Sequence, residues 1–91
     1  MRLNAKQIER ISKALAEPRR LQLLQQIGRT SGPTTCTALR RVHPITPPTL
    51  SHHLKELETA GLVHIERRGK QKCVTLNRDV LDAYLDRLRH I

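Results

Sequence analysis

Apolar positions recur at helical spacing through the first sixty residues, switch to alternation near residue 63, and return to helical spacing at the end. Asn4 stands where a helix cap belongs, and Ile8, Ile11 and Leu15 follow on one face. Glu17-Pro18 ends that pattern. Proline at a first helical position pre-sets the backbone for a second helix, in which Leu21, Leu24 and Ile27 recur until Gly28. Thr30-Ser31-Gly32-Pro33 reads as a loop. Thr34 or Thr35 caps a short third helix through Val42, with Ala38, Leu39 and Val42 as its buried side, and His43-Pro44 stops it. Thr46 caps a fourth helix from Pro47, in which Leu50, Leu54 and Leu57 sit at i, i+4 and i+7 and Gly61 supplies a left-handed exit.

From Leu62 the period becomes two. Val63 and Ile65 alternate with His64 and Glu66, and Val74 and Leu76 with Cys73 and Thr75, which predicts two strands. Arg67 to Lys72 form the turn between them, with Gly69 suited to a positive φ. Asn77 caps a last helix through about Arg89, whose stripe is Val80, Leu81, Tyr84, Leu85 and Leu88. The prediction is a mainly α chain with a small β-hairpin: four helices, two strands, one more helix. That order is a winged helix-turn-helix, with residues 1–91 as a single domain lacking repeats or linkers.

Composition narrows the function. With 91 residues, no Trp or Phe and Tyr84 as the only aromatic, the core must be thin and aliphatic, and ring stacking on unpaired bases is nearly unavailable. Seventeen Lys and Arg against eight Asp and Glu give a formal charge of +9, which points to a polyanionic partner, double-stranded DNA first. No apolar run is long enough to span a bilayer and MRLNAKQIER is no secretion signal, so a cytoplasmic protein with no membrane partner is expected. Two cysteines fit a reducing compartment. No paired carboxylates, phosphate loop or Cys/His pair with an orienting third residue is legible, so an enzyme is the weakest reading.

The stretch Thr46 to Asn77 joins a helix that presents small polar residues and histidines to a cationic hairpin, one element for base edges and one for phosphates. With the leucine line as the core direction and about 100° per residue, Pro48, Thr49, Ser51, His52 and Lys55 become the groove-facing candidates. His53 falls toward the core. Arg67, Arg68, Lys70 and Lys72 of the wing are candidate phosphate or minor-groove contacts, against the alternative of a solvated charge cluster. Arg19, Arg20, Arg40 and Arg41 read equally as backbone contacts or as surface charge.

ALAEPRRLQLL at 14–24, TPPTLSHHLKELETAGLV at 46–63 and ERRGKQKCVTLN at 66–77 resemble the second helix, recognition helix and wing of the ArsR/SmtB-type bacterial repressors. The resemblance covers nearly the whole chain, and SHHLKELETAGLV is its most specific string. It implies a homodimer built through the first and last helices that represses transcription until an inducer releases it from DNA. The stripes Ile8, Ile11, Leu15 and Leu81, Tyr84, Leu85, Leu88 are the expected dimer interface, unless both helices merely cover their own domain. A palindromic operator would then place two recognition helices about 34 Å apart. A winged-helix protein-interaction module is the competing reading.

Many relatives sense metals, yet this chain departs from their ligand sets. A thiolate site of that kind needs two cysteines one apart; here Thr34-Thr35-Cys36 offers Cys36 alone, with Thr34 in the first position. Asp82, Asp86 and His90 share one face of the last helix, but surface ion pairing with Arg78, Arg87 or Arg89 is their commoner use. No cofactor and no metal of the usual family type are expected, and the inducer is unknown. Cys36 and Cys73 invite a thiol-based redox mode, against the more frequent case of buried, inert cysteine.

Overall fold

A computed structural model describes residues 1–91 as six helical and strand segments beyond the hairpin: α1 Ala5–Leu15, α2 Pro18–Arg29, β1 Thr34–Thr35, α3 Cys36–Val42, α4 Pro47–Thr59 and α5 Arg78–Arg89. The hairpin itself is β2 Val63–Arg68 and β3 Gln71–Leu76. The two-residue β1 is absent from the order expected above. It pairs antiparallel with β3, Thr34 opposite Val74 and Thr35 opposite Cys73, so the sheet order is β1-β3-β2 and β3 is central. This explains why Cys73 and Val74 are both buried where strict alternation would expose one: each face of a central strand is covered.

The helix starts follow from local chemistry. Asn4 accepts from the Gln7 amide while the Gln7 side chain accepts from the Asn4 amide, both at 2.8 Å, a reciprocal box that satisfies two orphan donors. Glu17 caps α2 by accepting from the Arg20 amide at 3.0 Å. Thr35, Thr46 and Asn77 do the same for α3, α4 and α5. The exit of α4 depends on Gly61, whose φ of 81° lets the Gly61 amide reach the Glu58 carbonyl and the Leu62 amide reach that of Leu57. The reversal aims β2 back across the sheet.

Leu50, Leu54 and Leu57 are buried under α4 as the leucine line predicts, against Ile11, Leu23, Leu24, Ile27, Leu39, Leu62, Val63 and Val74. Four expectations need correction. Leu21 is 43 % exposed and Leu23 takes its place, because the buried face of α2 is Leu23, Leu24 and Ile27. Val42 is 60 % exposed: α3 ends there, and the buried line runs from Leu39 to His43 at i+4. Ile11, with no exposure, and Tyr84, at 8 %, lie inside their own protomer. The Tyr84 hydroxyl bonds Ser12 Oγ at 2.9 Å, tying α5 to α1.

Candidate nucleic-acid interface

The solvent face of α4 follows from the same periodicity that buries its leucines. Pro48, Thr49, Ser51, His52 and Lys55 are all exposed on it. Thr49 also belongs to the cap, since Thr46 Oγ1 accepts its amide at 3.3 Å and donates to its hydroxyl at 2.9 Å. His53 turns inward at 9 % exposure, and its Nδ1 is buried without a hydrogen-bond partner.

The wing is tighter than the six-residue turn expected. Arg67 pairs with Lys72 and Arg68 with Gln71, leaving Gly69-Lys70 as the turn, with Gly69 at φ 62°. Its cations are exposed but not equivalent. Arg68 is bound to Glu66, through Nε at 3.1 Å and Nη2 at 3.0 Å, whereas Arg67, Lys70 and Lys72 join no ion pair. These three line a groove of about 270 Å³ together with Pro47, Leu50 and Ser51 from the start of α4, and Thr35, Thr37 and Arg40 beside them. The structure therefore brings the first turn of α4 and the wing to one concavity, and of the five predicted α4 residues Ser51 lines it. Arg40 and the two threonines were not legible as part of it, because the groove assembles from three segments separated in sequence.

Of the other arginines, Arg41 is exposed, while Arg20 Nε donates to the Ala14 carbonyl at 2.7 Å. Arg19 Nη1 donates to His43 Nδ1 at 3.1 Å, which leaves the proton of the neutral ring on Nε2, facing Gln26 Oε1 at 3.0 Å. This latch was missed because His43-Pro44 reads as a simple helix stop. It fixes the turn between α3 and α4 onto α2.

Burial, helped by the Arg19 charge, pushes the His43 pKa down; burial also depresses His53, with Arg20, His52 and Arg19 adding to it against an opposing Glu17. In the unfolded chain both rings titrate near 6.5. The folded state thus binds fewer protons, so stability is fully present above that pH and falls as pH drops from about 6.5 through the depressed values. Thermal melts between pH 8 and 5 should show the midpoint falling on acidification. His43→Gln, which cannot charge, should melt lower than the wild type at pH 7.5 and lose less by pH 5. A wild-type midpoint that stays level over this range would contradict the latch.

Cys73 sits opposite Thr35, the residue before Cys36, so the two free cysteines lie near each other at the joint between α3 and the wing. Burial raises the Cys36 thiol pKa, Lys72 and Arg40 work against that rise, and Cys73 adds to it. A reactive thiol needs the opposite balance. Asp86 is already engaged by its neighbours: its carbonyl accepts from His90 Nδ1 at 2.7 Å, and its carboxylate forms an ion pair with Arg89 at 3.9 Å. No group of three or more His, Cys, Asp or Glu side chains is gathered within metal-binding reach of one another. No helix is long and apolar enough to cross a membrane.

Of the stripes on α1 and α5, Leu85 and Leu88 are 42 % and 44 % exposed, and Ile8, Leu15 and Leu81 are partly buried against the core.

A family model described as a helix-turn-helix domain matches residues 15–66. An arsenical resistance operon repressor of Staphylococcus xylosus is 31 % identical over 80 residues, covering 88 % of this chain and 75 % of that protein. The solution structure of a homodimeric winged helix-turn-helix DNA-binding domain from Mycobacterium bovis, described as a possible ArsR-family transcriptional regulator, superposes with a TM-score of 0.76 at 30 % identity, covering 88 % of this chain and 73 % of that one. An ArsR family transcriptional regulator at 24 % identity shares the fold with a TM-score of 0.84 over 99 % of this chain and 91 % of its own.

Proposed function

The chain belongs to the ArsR-type family of winged helix-turn-helix transcriptional regulators, and from that premise we propose that it is a homodimeric repressor of a palindromic duplex operator in the cytoplasm. Residues 1–91 act as one DNA-binding unit rather than as an enzyme. The observation that supports this reading is the shared groove, which Pro47 and Ser51 from the exposed start of α4 line together with three unpaired wing cations and no carboxylate. Pro48, Thr49, Ser51, His52 and Lys55 enter the major groove, and Arg67, Lys70 and Lys72 neutralise phosphates beside it. Arg68 contributes less, being occupied by Glu66.

The dimer forms through Leu85, Leu88 and Leu81, with Ile8 and Leu15 at its margin; Ile11 and Tyr84 support it only from inside each protomer. Release by an inducer proceeds without the usual family metal sites, since Cys36 lacks its partner thiol in the third helix.

Binding to a duplex selected from a random library, measured by anisotropy between 50 and 200 mM salt, tests the reading. The wild type should show log affinity falling linearly with log salt. Replacing Arg67, Lys70 and Lys72 by Gln should flatten that slope by about 0.9 for each phosphate no longer neutralised. Absence of any salt-sensitive duplex binding would remove the repressor reading in favour of a protein-interaction module.

A further inference from the structure

The ion pairs of this chain occupy Lys13 with Glu9, Arg68 with Glu66, and Arg89 and His90 with Asp86. Arg40, Arg67, Lys70 and Lys72 take part in none of them, yet all four line the groove between α3, α4 and the wing. The hydroxyls of Thr37 and Ser51 line it too, and no acidic residue does. Arg67 and Lys72 stand directly opposite in the hairpin register, where like charges destabilise a strand pair unless something neutralises them. The four cations come from two separate segments of the sequence, so the fold itself concentrates this charge. The groove, about 270 Å³ and open to solvent, has room for a phosphate group with water beside it.

We propose that this groove is a binding site for a phosphate-type oxyanion, which it accepts free in solution as well as on a DNA strand, so that a free oxyanion competes with the duplex. Guanidinium and ammonium donors gathered beside the hydroxyl-bearing Thr37 and Ser51 suit a tetrahedral dianion, whose charge offsets the repulsion among them. Only the competition rests on the reading of α4 and the wing as a DNA surface. Binding of the free anion stands on the charge and geometry alone.

The first experiment melts the intact chain in sodium chloride and in sodium phosphate of equal ionic strength. Phosphate stabilises folded proteins generally, by exclusion from their surface. The readout is therefore the difference between the wild type and R40Q/K72Q, with K6Q/R10Q on exposed α1 positions as a control of equal charge. Phosphate at about ten times its Kd should raise the wild-type midpoint by about 7 °C more than that of R40Q/K72Q, with the control following the wild type. Equal responses in all three proteins overturn the site.

The second experiment replaces chloride by phosphate at constant ionic strength in a duplex titration. The apparent Kd of the wild type should rise about tenfold at that concentration, by simple competition, and that of R40Q/K72Q should hardly move. An unchanged wild-type Kd overturns the competition. A wild type that responds to phosphate in the melts and binds no duplex at any salt upholds the oxyanion site while removing the DNA reading.

Discussion

Replacing Leu85 and Leu88 together by Glu converts the protein to a monomer and lowers its affinity for a two-half-site duplex by about 10²–10⁴-fold. Both side chains are more than two-fifths exposed in the single chain, so neither is needed to complete the protomer's core. Their exposure costs little in an isolated domain, and their burial against a second copy gains roughly 25 cal/mol per Å² of apolar surface. Two charges on each side of the contact reverse that gain, since each copy then buries unpaired carboxylates. DNA affinity falls because the second recognition helix is no longer held at high effective concentration beside its half-site, an advantage of about 10²–10⁴ in linked binding. Sedimentation, a melt and anisotropy on one sample separate the possibilities. A variant that remains dimeric, or a monomer that binds the full site as tightly as the wild type, would refute the assigned interface.

Leu57→Ala is expected to destabilise the chain by about 2–5 kcal/mol, the range for truncating a fully buried leucine when its surroundings cannot close the cavity. Leu57 has no exposed surface, and its carbonyl accepts the Leu62 amide that redirects the chain from α4 into β2. The substitution leaves that bond in place and removes only the packing beneath it. A 91-residue domain holds about 5–14 kcal/mol in total, so one such cavity consumes a large share. Urea titration at fixed protein concentration should show a lower midpoint with an unchanged slope. Leu21→Ala, at a side chain 43 % exposed, should cost far less. If the two substitutions cost the same, the assignment of Leu57 to the core and Leu21 to the surface is wrong.

What was legible in the sequence was legible for reasons of period. The leucine line of α4 with Gly61 after it, and the alternation on either side of Gly69, each fix an element, its buried face and its end from neighbours within one turn or one strand. The exposed set from Pro48 to Lys55 follows from the same line. β1 escaped because two residues have no period; Thr34 and Thr35 become a strand only through pairing with Val74 and Cys73, some forty positions on. The choice between Leu21 and Leu23, or Val42 and His43, turned on where α2 and α3 meet their neighbours, which spacing within one helix leaves open. The His43 latch and the cationic groove were hidden for the same reason, since both are made of side chains that converge only in three dimensions.

The central place of β3 bears on how the protein is made. A ribosome releases the four leading helices and β2 before Gln71–Leu76, so during synthesis Thr34, Val63 and Leu62 await the strand and the Asn77 amide that complete their bonding. A chain interrupted before Gln71 carries α4 intact in sequence but has no wing, no sheet and no last helix. On the proposed interface through α5, such fragments would not form mixed dimers with finished copies.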